Sequence, residues 1–297
     1  MENLDIVKNA ALAGGYAVRD YRPTDTEVKE DPDVGRHAIV TSADYKSQAA
    51  ILKEIRGHYE AKTAPFFMTE EHVEDEWFRD RLIRENNLGE ILSSEVYIID
   101  ELDGSSSKRI GHYEWSVSVG LIDKLEHTTA AVFAPDVFGG ALFYASKENG
   151  SFMRGVGGRD ERTKVSDIDL ENSYLIVGVD SFLSKYPIHN KLLPVLGDRA
   201  RTMNSNGSCA LPLGLVAAGR ADALIQPPNC PWDWAAGKLL VEEAGGVVMF
   251  YELKDGKIKF IEKLEARHYN PNKRTVGFIA ANKGLAERIR DLFLKTS

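Results

Sequence analysis

The sequence predicts a mixed α+β and α/β chain, and three observations carry that expectation. The runs Tyr113 to Leu121, Thr128 to Ala134 and Gly139 to Ala145 are apolar or alternating, with no helix between them, the pattern of an antiparallel meander. After Leu175 short apolar strands alternate with helix-length segments, so helices are expected to cover a sheet there. At 297 residues, with 43% hydrophobic and 28% charged side chains, the chain is long and apolar enough for two cores and still ordinary for a globular protein. The stretch Arg154 to Asp160, rich in glycine and charge, is the expected boundary between segments 1–158 and 159–297.

Taken in order, Leu4, Val7, Ala10, Leu12, Ala13, Tyr16 and Ala17 recur at helical spacing and predict a first helix ending near residue 20. Tyr21 to Arg36 is polar, with Pro23, Pro32 and Gly35, and reads either as a surface loop or as a flap carrying Lys29 and Glu30. Thr41 or Ser42 is placed to cap a helix through Tyr59, which puts Asp44 in its first turn. Phe66 to Met68 is a strand running into Thr69-Glu70-Glu71, and Glu74 to about Leu88 reads as a helix with an acidic start. Val96 to Ile99 is the next strand. In the second half, strands are expected at Leu175–Val179, Ala223–Ile225, Val247–Phe250, Ile258–Phe260 and Val276–Ala280. Helices are expected within Phe182–Leu196, interrupted by Pro187 and Pro194, and at Ala210–Ala218, Trp232–Ala244 and Leu285–Leu294.

The chemistry concentrates at Asp100-Glu101-Leu102-Asp103-Gly104-Ser105-Ser106. Asp100 and Asp103 leave the end of an apolar strand, where neighbouring carboxylates repel unless a cation or base neutralises them. Gly104 permits a tight turn, after which the amides of Gly104, Ser105 and Ser106 are free to face an anion; Asp-Gly and Gly-Ser are also common in plain turns. Glu70 repeats the pattern of an apolar run ending in acid. Asp233 lies at the start of a helix flanked by Trp232 and Trp234, a position that capping alone would also explain. Together Glu70, Asp100, Asp103 and Asp233 offer a hard oxygen site suited to magnesium. Cys209 and Cys230 are too few for a disulfide framework and, with seven scattered histidines, do not form a zinc pattern. The formal charge of −8 disfavours a nucleic-acid polymer as partner. The N-terminus has no basic-then-apolar leader and no run spans a membrane, so a cytoplasmic location without membrane contact is expected.

These motifs together resemble the inositol monophosphatase-like superfamily, which includes inositol monophosphatases, fructose-bisphosphatases and bisphosphate nucleotidases. The matching pieces are Val40 to Asp44, Thr69-Glu70-Glu71, Asp100 to Ser105, Gly207-Ser208 with the helix through Asp222, and Trp232 to Gly237. The resemblance implies a layered αβαβα sandwich and phosphomonoester hydrolysis with two or three magnesium ions, commonly lithium-sensitive, in a homodimer. It assigns one metal to Glu70, Asp100 and the Leu102 carbonyl, and a second to Asp100, Asp103 and Asp233. It makes Asp44 and Ser105 the pair that activates water, counts Glu70 among the catalytic residues, and allows a third metal in that water's shell. Gly104, Ser105 and Ser106 would hold phosphate, while Gly207, Ser208 and Gln226 would meet the rest of a small phosphorylated metabolite. Three departures stand out: Glu101 where the family usually has proline, Ser105 for the commoner threonine, and Gln226 for an acid seven positions before Asp233. Lys108 and Arg109 are candidates either for a second phosphate or for plain surface. An inositol-phosphatase-like enzyme leads over a bisphosphate nucleotidase and a fructose-bisphosphatase, and a catalytically silent binding protein is the reading from a different class.

Overall fold

Inward-facing Ile6, Val7, Ala10, Ala11 and Val18 build α1 (Asn3–Val18), which packs on α2 (Ser42–Arg56). Between them the short strands β1 (Glu27–Val28) and β2 (Ile39–Val40) pair antiparallel. The computed structural model describes residues 3–28, 39–60, 63–179, 187–254 and 257–296, so residues 21–28 of the expected flap are described, while Lys29, Glu30 and the remainder to Arg36 lie outside the described residues. Thr41 is the cap of α2. Its hydroxyl accepts the Ala43 amide while the Asp44 carboxylate accepts the Thr41 amide, a reciprocal capping box.

The expected meander forms inside a seven-stranded sheet whose strands lie in sequence order. It starts with β3 (Phe66–Thr69), parallel to β4 (Glu95–Asp103). The helix expected from Glu74 to Leu88 is instead broken. Only α3 (Glu76–Arg79) and a 3-10 segment at Glu85–Leu92 are helical, because residues 81–83 run extended beside β3, with Phe67 bonded to the backbone of Arg81 and Ile83. A strand edge competes with helix for the same amides, and here the edge wins. β4 also runs past Ile99 through both aspartates and is followed by α4 (Ser105–Ile110). The sheet continues antiparallel through β5 (Ser116–Asp123), β6 (Glu126–Ala134), β7 (Ala141–Ser146), β8 (Gly150–Arg154) and β9 (Asp160–Arg162). Arg154 to Asp160 is thus a hairpin connection, tied by the Arg154 guanidinium on Asp160.

The second sheet has the order β11-β10-β12-β15-β13-β14. Its elements are β10 (Tyr174–Val177), α5 (Pro187–Gly197), β11 (Thr202–Asn204), α6 (Ala210–Ala217), β12 (Ala223–Asn229), α7 (Pro231–Glu243), β13 (Val247–Lys254), β14 (Lys257–Phe260), β15 (Val276–Ala281) and α8 (Lys283–Thr296). Residues 182–186 of the expected helix before α5 lie outside the described residues, and Pro194 is accommodated within α5. The layers are α1 and α2, the first sheet, α6 and α7, the second sheet, then α5 and α8, which is the αβαβα sandwich. Among the described residues four core clusters fill the interior, the largest around α6 and α7 between the sheets. Close approach there needs small residues. A Cβ on Gly237 of α7 would stand 2.2 Å from the Leu213 side chain of α6, and one on Gly120 of β5 would stand 3.2 Å from the Ala236 backbone. Among the described residues no helix is long and apolar enough to cross a membrane.

Candidate active site

Residues 100 and 103 are an odd number apart and would face opposite sides of a regular strand. A bulge between them in the β4–β5 ladder breaks that alternation, so Asp100 and Asp103 both reach one cavity. The cavity has a volume of about 490 Å³ and lies between the ends of the two sheets. Glu70 comes to its wall from the end of β3, Asp233 from the first turn of α7, and Leu102, Gly104, Ser105 and Ser106 from the β4–α4 turn. Gly207, Ser208 and Gln226 line it as well. All the predicted site residues except Asp44 therefore border this space, and Asp44 stands directly behind Ser105, whose Oγ is 2.7 Å from Asp44 Oδ1 and 3.0 Å from the Leu102 carbonyl oxygen.

Two groups of carboxylates have oxygens within 4.8 Å of one another: Asp100, Asp103 and Asp233, and Glu70, Asp100 and Glu101. Oxygens opposed across a magnesium ion lie about 4.2 Å apart and across calcium about 5 Å, so either group fits a divalent ion with little adjustment. Burial, and then the charges of Glu70, Asp103, Asp233 and Glu101, push the Asp100 carboxyl well above the usual carboxylate range. Asp233 is pushed up to about 7, mainly by burial, with the nearby Arg274 pulling the other way. Asp44 is raised by burial and partly restored by the hydrogen bonds from Ser105 and Thr41. Clustered, desolvated acids of this kind are unfavourable until something positive joins them, which is the donor chemistry a magnesium site requires.

Asp103 has a second duty that the sequence did not reveal. Its carboxylate accepts the backbone N–H groups of Cys209 at 2.8 Å and Ala210 at 2.8 Å, with the hydroxyls of Ser208 and Ser116. It thus caps α6 from more than a hundred residues away, where Cys209 itself makes no side-chain cap. The Ser208 hydroxyl accordingly faces Asp103 as well as the cavity. Lys108 and Arg109 do not line the cavity: Lys108 Nζ donates to the Arg19 carbonyl at 2.7 Å and sits 4.1 Å from the Trp115 ring centroid, and Arg109 is exposed. Among the described residues the cation that does line it is Arg274, whose guanidinium reaches Asn229 Oδ1. Asn206 and Asn229 were missed with it. Asn229 falls in a strand that runs four residues beyond its expected end, and Arg274 sits in a connection before β15 without any motif to mark it. Cys209 and Cys230 are buried and not joined in a disulfide, as their number suggested.

A profile of the inositol monophosphatase family matches residues 1–293. The chain belongs to that family. Within it, Nus factor SuhB of Escherichia coli (strain K12) is 32% identical over 249 residues, covering 82% of each chain. The fructose-1,6-bisphosphatase/inositol-1-monophosphatase of Thermotoga maritima is 30% identical over 217 residues, 73% of each chain. The inositol-1-monophosphatase of Bacillus subtilis (strain 168) is 27% identical over 214 residues, 71% of this chain and 77% of its own. Among solved structures, a Thermotoga maritima IMPase superposes with a TM-score of 0.75 at 24% identity, covering 100% of this chain and 98% of that one. That likeness confirms the fold of the family.

Two measurable consequences follow from the site. Gly104 has φ +96°, and a Cβ there would lie 2.9 Å from the Glu114 carbonyl oxygen and 3.2 Å from that of Gly207. Gly104→Ala is expected to lower stability by about 1–3 kcal/mol, read as a fall in Tm. An unchanged Tm would show that the turn relaxes freely.

The second consequence concerns pH. Asp233, Asp100 and Glu101 have folded-state values raised above those of an unfolded carboxylate, so protonation favours the folded, metal-free chain. Their contribution is full below about pH 4 and is lost as pH rises through the folded values, about 7 for Asp233. His127 works against this in acid, since burial holds its ring neutral below the usual histidine range. The clean window lies above about pH 6.5, where an unfolded histidine is also mostly neutral. With chelator present, Tm should fall between about pH 6.5 and pH 8, and magnesium should remove that fall. A flat or rising Tm in chelator over that range would contradict the assigned electrostatics.

Proposed function

We propose that this protein is a magnesium-dependent phosphatase of small phosphorylated metabolites, closest in reaction to an inositol monophosphatase. The observation that carries this reading is the meeting of Glu70, Asp100, Asp103 and Asp233 in one cavity with the Asp44–Ser105 pair at its wall. In this reading Glu70, Asp100 and the Leu102 carbonyl hold one ion, and Asp100, Asp103 and Asp233 hold another. Bound magnesium supplies a more acidic water and charge stabilisation at the leaving oxygen.

The chain's own residues do the rest. Ser105 Oγ donates to Asp44, which turns its lone pairs toward the cavity to accept a proton from the attacking water. Asp44 is held for this by the Thr41 amide and hydroxyl at 2.8 and 2.7 Å. The amides of Gly104, Ser105 and Ser106 orient the phosphate oxygens, and Gly207, Ser208 and Gln226 orient the organic part. A neutral amide at Gln226 suits a hydroxyl-bearing sugar or cyclitol but bonds it without charge. We further propose that two units meet at this cavity, their boundary moved from the expected residues 158–159 to just after β9, which completes the first sheet, and that the protein acts as a cytoplasmic homodimer.

The test is phosphate release from inositol monophosphates, fructose 1,6-bisphosphate, adenosine 3',5'-bisphosphate and simple sugar phosphates, with magnesium and then lithium. Magnesium-dependent turnover that lithium inhibits is the expected result. The name Nus factor, carried by similar proteins, favours one other reading, a binding protein without turnover. It predicts magnesium-assisted ligand binding and no phosphate release on any member of the panel. The formal charge of −8 still disfavours a nucleic-acid backbone as the direct contact.

A further inference from the structure

Glu101 has no part in the mechanism above and stands where the family usually carries proline. It is nevertheless 1% exposed. Helix α2 fixes it twice: Ser47 Oγ donates to its main-chain carbonyl at 2.6 Å, and Gln48 Nε2 donates to its Oε1 at 2.9 Å. Its other oxygen, Oε2, is buried with no hydrogen-bond partner. A Glu101 oxygen also lies within 4.8 Å of oxygens from Glu70 and Asp100. A carboxylate held through one oxygen, with the other unpartnered and the group within reach of two other acids, is arranged as a ligand is arranged: oriented by its neighbours and still unsaturated. Glu70 and Asp100 approach this point from the main cavity, and Glu101 approaches from the α2 side.

We propose that Glu101 is an additional carboxylate ligand to a divalent cation held between Glu70, Asp100 and Glu101, with Gln48 as its positioning residue. The inference rests on the metal-dependent reading of the cavity and extends it. A third carboxylate makes this ion's surroundings net negative, so it is held more tightly and exchanges more slowly than an ion whose shell has proline at this position.

The test is titration of the full-length, metal-free protein with manganese, followed by calorimetry and by the paramagnetic resonance of free manganese. The parent should show a tight class of sites that Glu101→Gln weakens by roughly tenfold or more. Asp233→Asn should instead affect the ion shared with Asp103. Equal stoichiometry and affinity in the parent and Glu101→Gln would overturn the proposal while leaving the metal-dependent reading intact. No manganese binding by the parent would overturn both. Should Glu101→Gln fail to fold, Gln48→Met removes the donor to Oε1 together with its 3.1 Å hydrogen bond to the Glu71 carbonyl while leaving the Glu101 carboxylate in place, and unchanged tight binding in that variant would equally overturn the site.

Discussion

Asp100→Asn is expected to reduce magnesium-dependent phosphate release by about 10³-fold or more, equivalent to roughly 4 kcal/mol of transition-state stabilisation. Asp100 is the carboxylate common to both acidic groups, so its loss weakens two candidate ion sites at once. The same variant should raise the Tm of the metal-free protein. Asp100 is 1% exposed and repelled by Glu70, Asp103 and Asp233, and an amide of the same shape removes that repulsion and offers N–H donors to its neighbours. Asparagine also keeps an oxygen for the Leu102 amide, which Asp100 Oδ1 accepts at 3.1 Å. Rate and stability should therefore move in opposite directions. Parent-like hydrolysis by this variant would rule out the proposed mechanism, and a lowered metal-free Tm would rule out the electrostatic account.

The second large effect is expected at the pair behind the phosphate turn. Asp44→Asn and Ser105→Ala should each lower kcat by about 10²–10⁴-fold, the range for losing a positioned proton acceptor or its relay. Magnesium binding should survive, because neither side chain belongs to a carboxylate group that surrounds an ion. The two variants differ in stability. Asp44 completes the capping box of α2, so Asp44→Asn should also cost about 1 kcal/mol of cap. Ser105→Ala leaves that box untouched and isolates the chemical effect. Steady-state kinetics beside magnesium titration separates the cases, and a parent-like kcat in Ser105→Ala would remove the hydroxyl from the proposed proton path.

Much of the site was legible in the chain because the signals are local. Thr41 caps α2 with Asp44 in its first turn, and Asp233 occupies the third position of α7, where its Oδ2 accepts the Cys230 amide at 2.9 Å. Gly104 turns the chain with a positive φ just after the acids of β4. Each feature follows from backbone rules that act within four residues, so residue order is sufficient to read it.

What remained hidden depends on partners far away in sequence. Asp103 caps α6, Lys108 turns under Trp115 toward the Arg19 carbonyl, and Arg274 enters the cavity from before β15. The expected helix after Glu74 fails because Phe67 takes the backbone of residues 81–83. The direction of Glu101 was likewise undecidable from order alone, since the bulge between Asp100 and Asp103 cancels the two-residue alternation that would otherwise fix it. The sequence by itself determined which oxygen ligands, caps and turns exist and in what order. Only the tertiary structure decided which of those carboxylates lose water together, because desolvation and strand pairing belong to the packed sheets rather than to any single segment.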